Sequence, residues 1–168
     1  PHCILGDRKG RRFVNEGDRN IGLVQAERDP ETGQPLHLPS WRIFDRTYVR
    51  EQPHFLHMLR RPAPDHIRRA KTIADLARQI GTDPAVLEET IARFNGFARA
   101  GRDEDFHRGE SGFERFYSEN EVVTTGALGA IETAPFFAVP SQVGVLGTKG
   151  GPPTDAPGRG LRATGSIL

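Results

Sequence analysis

The chain holds a single cysteine, Cys3, among its 168 residues. An internal disulfide is therefore excluded, and a reducing compartment such as the cytoplasm is expected. No apolar run approaches the length of a membrane span, and no signal-peptide pattern opens the chain. Charge of one sign is lacking too. The 23 basic and 22 acidic residues leave a net charge of +1, so no global field draws in nucleic acid or an anionic membrane. The Gly-x-Gly-x-x-Gly dinucleotide fingerprint and the phosphate loop Gly-x4-Gly-Lys-Ser/Thr are both missing. The six histidines form no metal set: His54 and His57 could share a helical face, but no cysteine or clustered carboxylate completes a site. Nothing marks an activated Ser, Cys or His nucleophile.

What is present is a globular but lean composition, 36% hydrophobic with a mean hydropathy of −0.53. The 19 glycines and 13 prolines imply much turn and loop. The chain starts at Pro1, inside an apolar run, and stops at Ser166-Ile167-Leu168, so a fragment of a longer polypeptide is expected.

Cys3-Ile4-Leu5 and Phe13-Val14 flank the turn-forming Gly6–Gly10 and predict a hairpin. Residues 27–40 predict a surface loop and Trp41–Phe44 a strand ended by Asp45. Prolines 53, 62 and 64 forbid a long helix between Gln52 and Arg69, though a turn over Phe55–Leu59 is allowed. The helical signal is concentrated further on. Thr72 with Asp75 suggests an N-cap, and Ile73, Leu76, Ala77 and Ile80 share a face before Gly81. Asp83-Pro84 restarts a helix carrying Leu87, Ile91, Phe94 and Ala98, closed by Gly101. Phe136–Val139 and Val143–Leu146 predict strands. The expected fold is α+β: a mixed, mostly antiparallel sheet with a helix pair, 72–80 and 84–99, packed against it.

Three stretches invite a chemical reading. In Leu146–Gly151 (LGTKGG), glycines around Thr-Lys let backbone approach a ligand closely; a turn is preferred on this stretch alone, and a ligand loop is the alternative. Arg60-Arg61 with Arg68–Lys71 form a basic patch, preferred as a solvated face over a nucleic-acid module because no stacking aromatics interleave it. The third is Gly10–Asn20 (GRRFVNEGDRN), which crowds arginines, acids and asparagines behind a short apolar run.

Taken together, GRRFVNE, SWRIFDRTY, the run from Thr72 to Ser111, APFFAV and LGTKGGPPTD resemble the cap domain of fumarate reductase/succinate dehydrogenase-type flavoproteins. They are most similar to the 3-ketosteroid Δ1-dehydrogenase branch. The resemblance implies a two-part enzyme in which an FAD-binding Rossmann-like domain, absent here, flanks the cap in sequence and the active site lies between the two. It also implies an FAD-dependent oxidoreductase of a carbon–carbon bond beside a carbonyl.

The family's proton-transfer position, four residues after Glu16, is Asn20 here, with Arg19 beside it. It is an arginine in fumarate reductases and a tyrosine in ketosteroid dehydrogenases. Asparagine has no useful proton to give, although it can donate and accept hydrogen bonds. Leu146 stands where fumarate reductases place a carboxylate-binding histidine, and Phe137 where close relatives show tyrosine. The resemblance thus points to an apolar ring ketone as substrate. Asn20 and Arg19 are the expected catalytic residues, Leu146, Phe137 and Thr148 the substrate contacts, and Gly150 and Gly151 the backbone near the cofactor. The alternatives are a dicarboxylate reductase or dehydrogenase and a non-catalytic binding domain.

Overall fold

Both faces of the central sheet are covered, which explains why Cys3-Ile4-Leu5 and Phe136–Val139 read as unbroken apolar runs rather than alternating ones. The structure is a computed structural model and describes residues 1–59, 64–118, 126–144, 147, 151 and 153–167. Strand β1 (Cys3–Gly6) pairs with β2 (Ser40–Phe44), which pairs with β4 (Phe136–Ser141), and β4 pairs with β3 (Arg68–Ala70). All three pairings are antiparallel. The expected mixed sheet is therefore corrected, among the described residues, to a purely antiparallel one.

Register assigns alternate side chains to opposite layers. Ile4, Ile43 and Ala138 lie abreast in one layer, and Cys3, Phe44 and Phe137 in the other. On the first face sit α3 (Ile73–Ile80) and α4 (Pro84–Ala100), which bury Leu76, Ala77, Leu87, Ile91 and Phe94 against Ile4, Ile43 and Phe136. On the second, α2 (Arg46–Glu51) and a 3-10 helix (Pro53–Leu59) supply Tyr48, Val49 and Met58 around Phe44 and Phe137.

The helix pair forms where its punctuation predicts. The Thr72 hydroxyl accepts from the Asp75 N–H at 3.1 Å, and the Asp83 carboxylate accepts from the Ala85 N–H at 2.9 Å with Pro84 at the first position. Gly81 and Gly101 close the two helices in the left-handed region, at φ 74° and 73°. Asp45, with no exposed surface, ends β2. Its carboxylate accepts from Thr47 and Tyr48 to cap α2, and from Glu132 and Thr133 to hold the segment entering β4.

Several expectations fail for local reasons. Phe13-Val14 adds no strand; a single bridge, Gly6 to Arg12, is all that forms, and β2 takes the place beside β1. Val143 and Gly144 lie beyond β4 and outside any strand, with Val143 exposed; Val145 and Leu146 lie outside the described residues. Arg68–Ala70 of the basic patch form edge strand β3, with both arginines part-exposed and the Arg69 guanidinium 5.6 Å from the Phe137 ring centroid. Arg60 and Arg61 lie outside the described residues. The short helices α1 (Ile21–Gln25), α2 and α5 (Gly112–Ser118) are additions to the expected pair. No helix among the described residues is long and apolar enough to cross a membrane.

Candidate active site

The segment Gly10–Asn20 has almost no backbone ladder of its own, so side chains must hold it. They do so through four buried ions. The Arg12 guanidinium donates from Nε and Nη2 to both Glu16 oxygens at 2.8 and 2.7 Å, and from Nη1 to Asp103 Oδ1 at 2.9 Å. Arg108 donates to Glu16 Oε2 at 3.0 Å and to the Cys3 carbonyl at 2.8 Å. Glu16 Oε1 also accepts the Leu5 N–H at 3.0 Å, which ties the segment to β1. The side chains of Arg12, Glu16, Asp103 and Arg108 are 4, 1, 0 and 7% exposed, so each charge depends on its partners. Phe94 and Phe106 stack on the Arg12 guanidinium, with ring centroids 4.9 and 5.0 Å away.

The titration behaviour follows. Burial alone would push the Asp103 carboxyl up, but Arg12 and the N–H groups of Phe106 and Arg108 hold it below the ordinary carboxylate range. Burial opposes the charge of Arg12 as well, and Glu16 and Asp103 more than offset it, raising its pKa.

A second anchor lies beside the first. Ser111 and Glu114 exchange bonds at the start of α5: the Glu114 N–H donates to Ser111 Oγ at 3.1 Å, and the Ser111 hydroxyl and N–H donate to Glu114 Oε2 at 2.6 and 3.3 Å. Glu114 Oε1 takes the Gly109 N–H at 3.1 Å. Burial would raise this carboxyl, yet Ser111, Gly109 and Asn15 hold it low. A Cβ on Gly17 would meet Glu114 Oε1 at 2.5 Å, so any side chain there would have to displace the Glu114 carboxylate from its present place.

Between these two banks opens a hollow of about 460 Å³, lined among others by Asn15, Arg19, Asn20, His107, Phe113 and Glu114. That is the size of a small-molecule site. Arg19 and Asn20 are both exposed at its rim. The Arg19 guanidinium lies over the Phe113 ring, 3.5 Å from its centroid. The Asn20 N–H donates to Asp18 Oδ1 at 2.8 Å, and its side chain caps no N–H of α1.

Of the other expected site residues, the two that are described, Phe137 and Gly151, do not line this hollow. Phe137 is 0% exposed, stacked 5.6 Å from Phe44 in the second core layer, so a direct substrate contact is corrected to a packing role. Gly151 has φ 145°, and a Cβ added there would meet nothing within 4 Å, so it faces open space. Leu146, Thr148 and Gly150 lie outside the described residues. Missed by sequence reasoning were Arg12, Asp103, Arg108, Phe113 and Glu114. A signal existed for one of them: Ser-x-x-Glu at 111–114 is a capping-box pattern.

Residues 2–168 match the FAD binding domain family, and the chain belongs to it. The 3-oxosteroid 1-dehydrogenase of Mycolicibacterium smegmatis is 37% identical over 181 residues, covering 100% of this chain and 31% of that protein. The 4-oxocyclohexanecarboxylate 2-dehydrogenase of Sinomonas cyclohexanicum is 32% identical over 171 residues, covering 100% and 30%. Among solved structures, the 3-ketosteroid Δ1-dehydrogenase from Sterolibacterium denitrificans, in complex with 1,4-androstadiene-3,17-dione, superposes with a TM-score of 0.72 at 29% identity, over 99% of this chain and 31% of that one. The chain thus spans about a third of the length of the relatives it matches.

FAD is the cofactor that family membership carries. Its pyrophosphate needs a glycine turn between a parallel strand and a helix N-terminus. Among the described residues every strand pairing is antiparallel, and the turns from β2 to α2 and from β3 to α3 hold no glycine. These residues do not fit the pyrophosphate.

Proposed function

We propose that this chain is the substrate-facing cap of an FAD-dependent oxidoreductase acting on a carbon–carbon bond next to a carbonyl, in the manner of 3-ketosteroid dehydrogenases. The observation that carries the reading is the open hollow with Arg19 and Asn20 exposed on its rim. It is one wall of a site, rigidly braced from behind and uncovered in front. Relatives named for ketone-ring dehydrogenations support the substrate class. The FAD-holding domain of the same polypeptide would supply the other wall, and closure of the two would exclude water.

In this reading the Asn20 amide donates a hydrogen bond to the substrate carbonyl and holds it in place. Being no acid, it leaves proton movement to Arg19, to water or to the other domain. Leu146 would line the apolar part of the pocket, and Thr148, Gly150 and Gly151 would offer backbone toward the cofactor. The cytoplasm is the proposed compartment. A dicarboxylate substrate is the second reading, favoured by the Arg19 cation at the rim.

The test uses the full-length protein that carries this chain. Its visible spectrum is recorded before and after adding a 3-ketosteroid or fumarate, followed by turnover with each. A ketosteroid-specific spectral change with turnover is expected. A response to fumarate alone would favour the second reading, and a full-length protein without flavin would leave a non-catalytic binding domain.

A further inference from the structure

We infer that Gln25 is a positioning residue for the reaction: its buried amide fastens the short helix α1 to the ends of β2 and β4, and through α1 it sets where the Asn20 amide stands on the rim of the hollow. The inference rests on the function proposed above. Asn20 is the N-cap of α1, and its carbonyl accepts the Leu23 N–H at 2.9 Å. Asn20 and Gln25 are thus the two ends of one rod, about 7.5 Å long. The rod cannot hold itself. A helix this short is unstable alone, and Gly22 with the branched Ile21 and Val24 are poor helix formers. No side chain caps its start, no acid stands in its first turn, and no base stands in its last. Gln25 is its one buried residue, while Leu23 is exposed.

The anchor is specific in its chemistry. Gln25 Nε2 donates to Ser40 Oγ and to Ser141 Oγ, both at 2.9 Å. Ser40 and Ser141 are register partners across β2 and β4. The Ser40 hydroxyl donates its own proton to the Ser141 carbonyl at 2.9 Å. With that proton committed, Ser40 Oγ can only accept, so the group facing it has to be a donor. A primary amide, with two N–H groups aimed at two hydroxyl oxygens, meets that need. A carboxylate or a thioether of the same length carries no donor and does not. Gln25 need not touch substrate; it acts through Asn20.

The experiment uses the full-length flavoprotein, with its concentration set by bound flavin and a 3-ketosteroid as substrate. Gln25→Met keeps the length of the side chain and removes both donors. It should lower ketosteroid turnover about two- to tenfold, no further than Asn20→Ala does. Added to Asn20→Ala it should cost nothing more, because the amide it positions is already gone. A merely structural role would cost the same factor in both backgrounds. Hydrogen–deuterium exchange, read by mass spectrometry, should quicken about five- to a hundredfold over residues 20–25 in Gln25→Met and keep its wild-type rate over α4. Ser141→Ala removes one of the two acceptors and should quicken the same segment by less, which covers the case in which Gln25→Met does not fold. Unchanged exchange over 20–25 in either variant, unchanged turnover in Gln25→Met, or equal losses with and without the Asn20 amide overturns the inference. A wild type that turns over no ketosteroid sinks the proposed function instead, and the exchange of residues 20–25 still judges the Gln25 tether separately.

Discussion

The sheet with its helix pair and the loop that carries the candidate site are built from opposite materials. The first is held by apolar burial: Ile4, Ile43, Leu76, Leu87 and Phe94 are 0 to 1% exposed and belong to one cluster. The second is held by charge: Arg12, Glu16, Asp103 and Arg108 are equally hidden but gain little from leaving water except one another. Truncating a side chain in the apolar core costs stability through a cavity that only partly collapses. Removing one member of a buried ion network strands its partners. Damage to the network should therefore reach the site loop directly, whereas damage to the core should cost stability and leave the site in place.

Arg12→Ala should show the difference most strongly. It leaves Asp103 buried without its cation and Glu16 with Arg108 alone, and unstacks Phe94 and Phe106, at a cost of about 3–5 kcal/mol. Arg12→Lys should recover little, since an ammonium cannot make the paired contacts to two carboxylates. Urea denaturation of the full-length protein measures both, and substrate affinity should fall with stability.

Leu87→Ala is the counterpart in the scaffold. Leu87 has no exposed surface, so truncation should cost about 2–5 kcal/mol. Under folding conditions the Michaelis constant should stay close to wild type. Equal losses of substrate affinity in the Leu87 and Arg12 variants would erase the distinction between the two regions.

The same contrast explains what can be read from the sequence. The helix pair announces itself locally: Thr72, Gly81, Asp83-Pro84 and Gly101 mark its ends, and Leu87, Ile91 and Phe94 recur at helical spacing. Strands β2 and β4 are legible as apolar runs. The hidden parts depend on distant partners. Arg12 and Asp103 are 91 residues apart, and no local pattern announces that they meet. Resemblance makes Phe137 a substrate contact, whereas register turns it into the closed core layer beside Phe44. Counting from Glu16 sets Asn20 and Arg19 together, but where the Arg19 guanidinium rests is decided by Phe113, far along the chain.

Acid should separate the regions further, with a smaller effect. The folded protein holds the Asp103 and Glu114 carboxyls below their ordinary range. Their contribution is therefore fully present above an ordinary carboxylate pKa of about 4 and is lost as pH falls through the lowered folded values. Urea midpoints measured between pH 7 and pH 3 should decline mainly below about pH 4. Glu114→Gln should lower stability at pH 7 and flatten that decline; a decline as steep as in the wild type would remove Glu114 from the account.

The smallest effect is expected at the rim itself, where the loop meets solvent and nothing is stranded. Asn20→Ala deletes one amide and exposes no buried charge, so the loop should keep its fold. If that amide bonds the substrate carbonyl, turnover of a 3-ketosteroid should fall by about 0.5–1.5 kcal/mol of transition-state stabilisation, roughly two- to tenfold. Asn20→Tyr adds a phenol at an exposed position, which the open hollow can accept, and should preserve or raise ketosteroid turnover. Arg19→Ala tests the neighbour. In the proposed reading its guanidinium rests on Phe113 and contributes less to ketosteroid turnover than the Asn20 amide does. Fumarate turnover that survives Asn20→Ala and collapses in Arg19→Ala would reverse that order, making Arg19 the working group of a dicarboxylate enzyme.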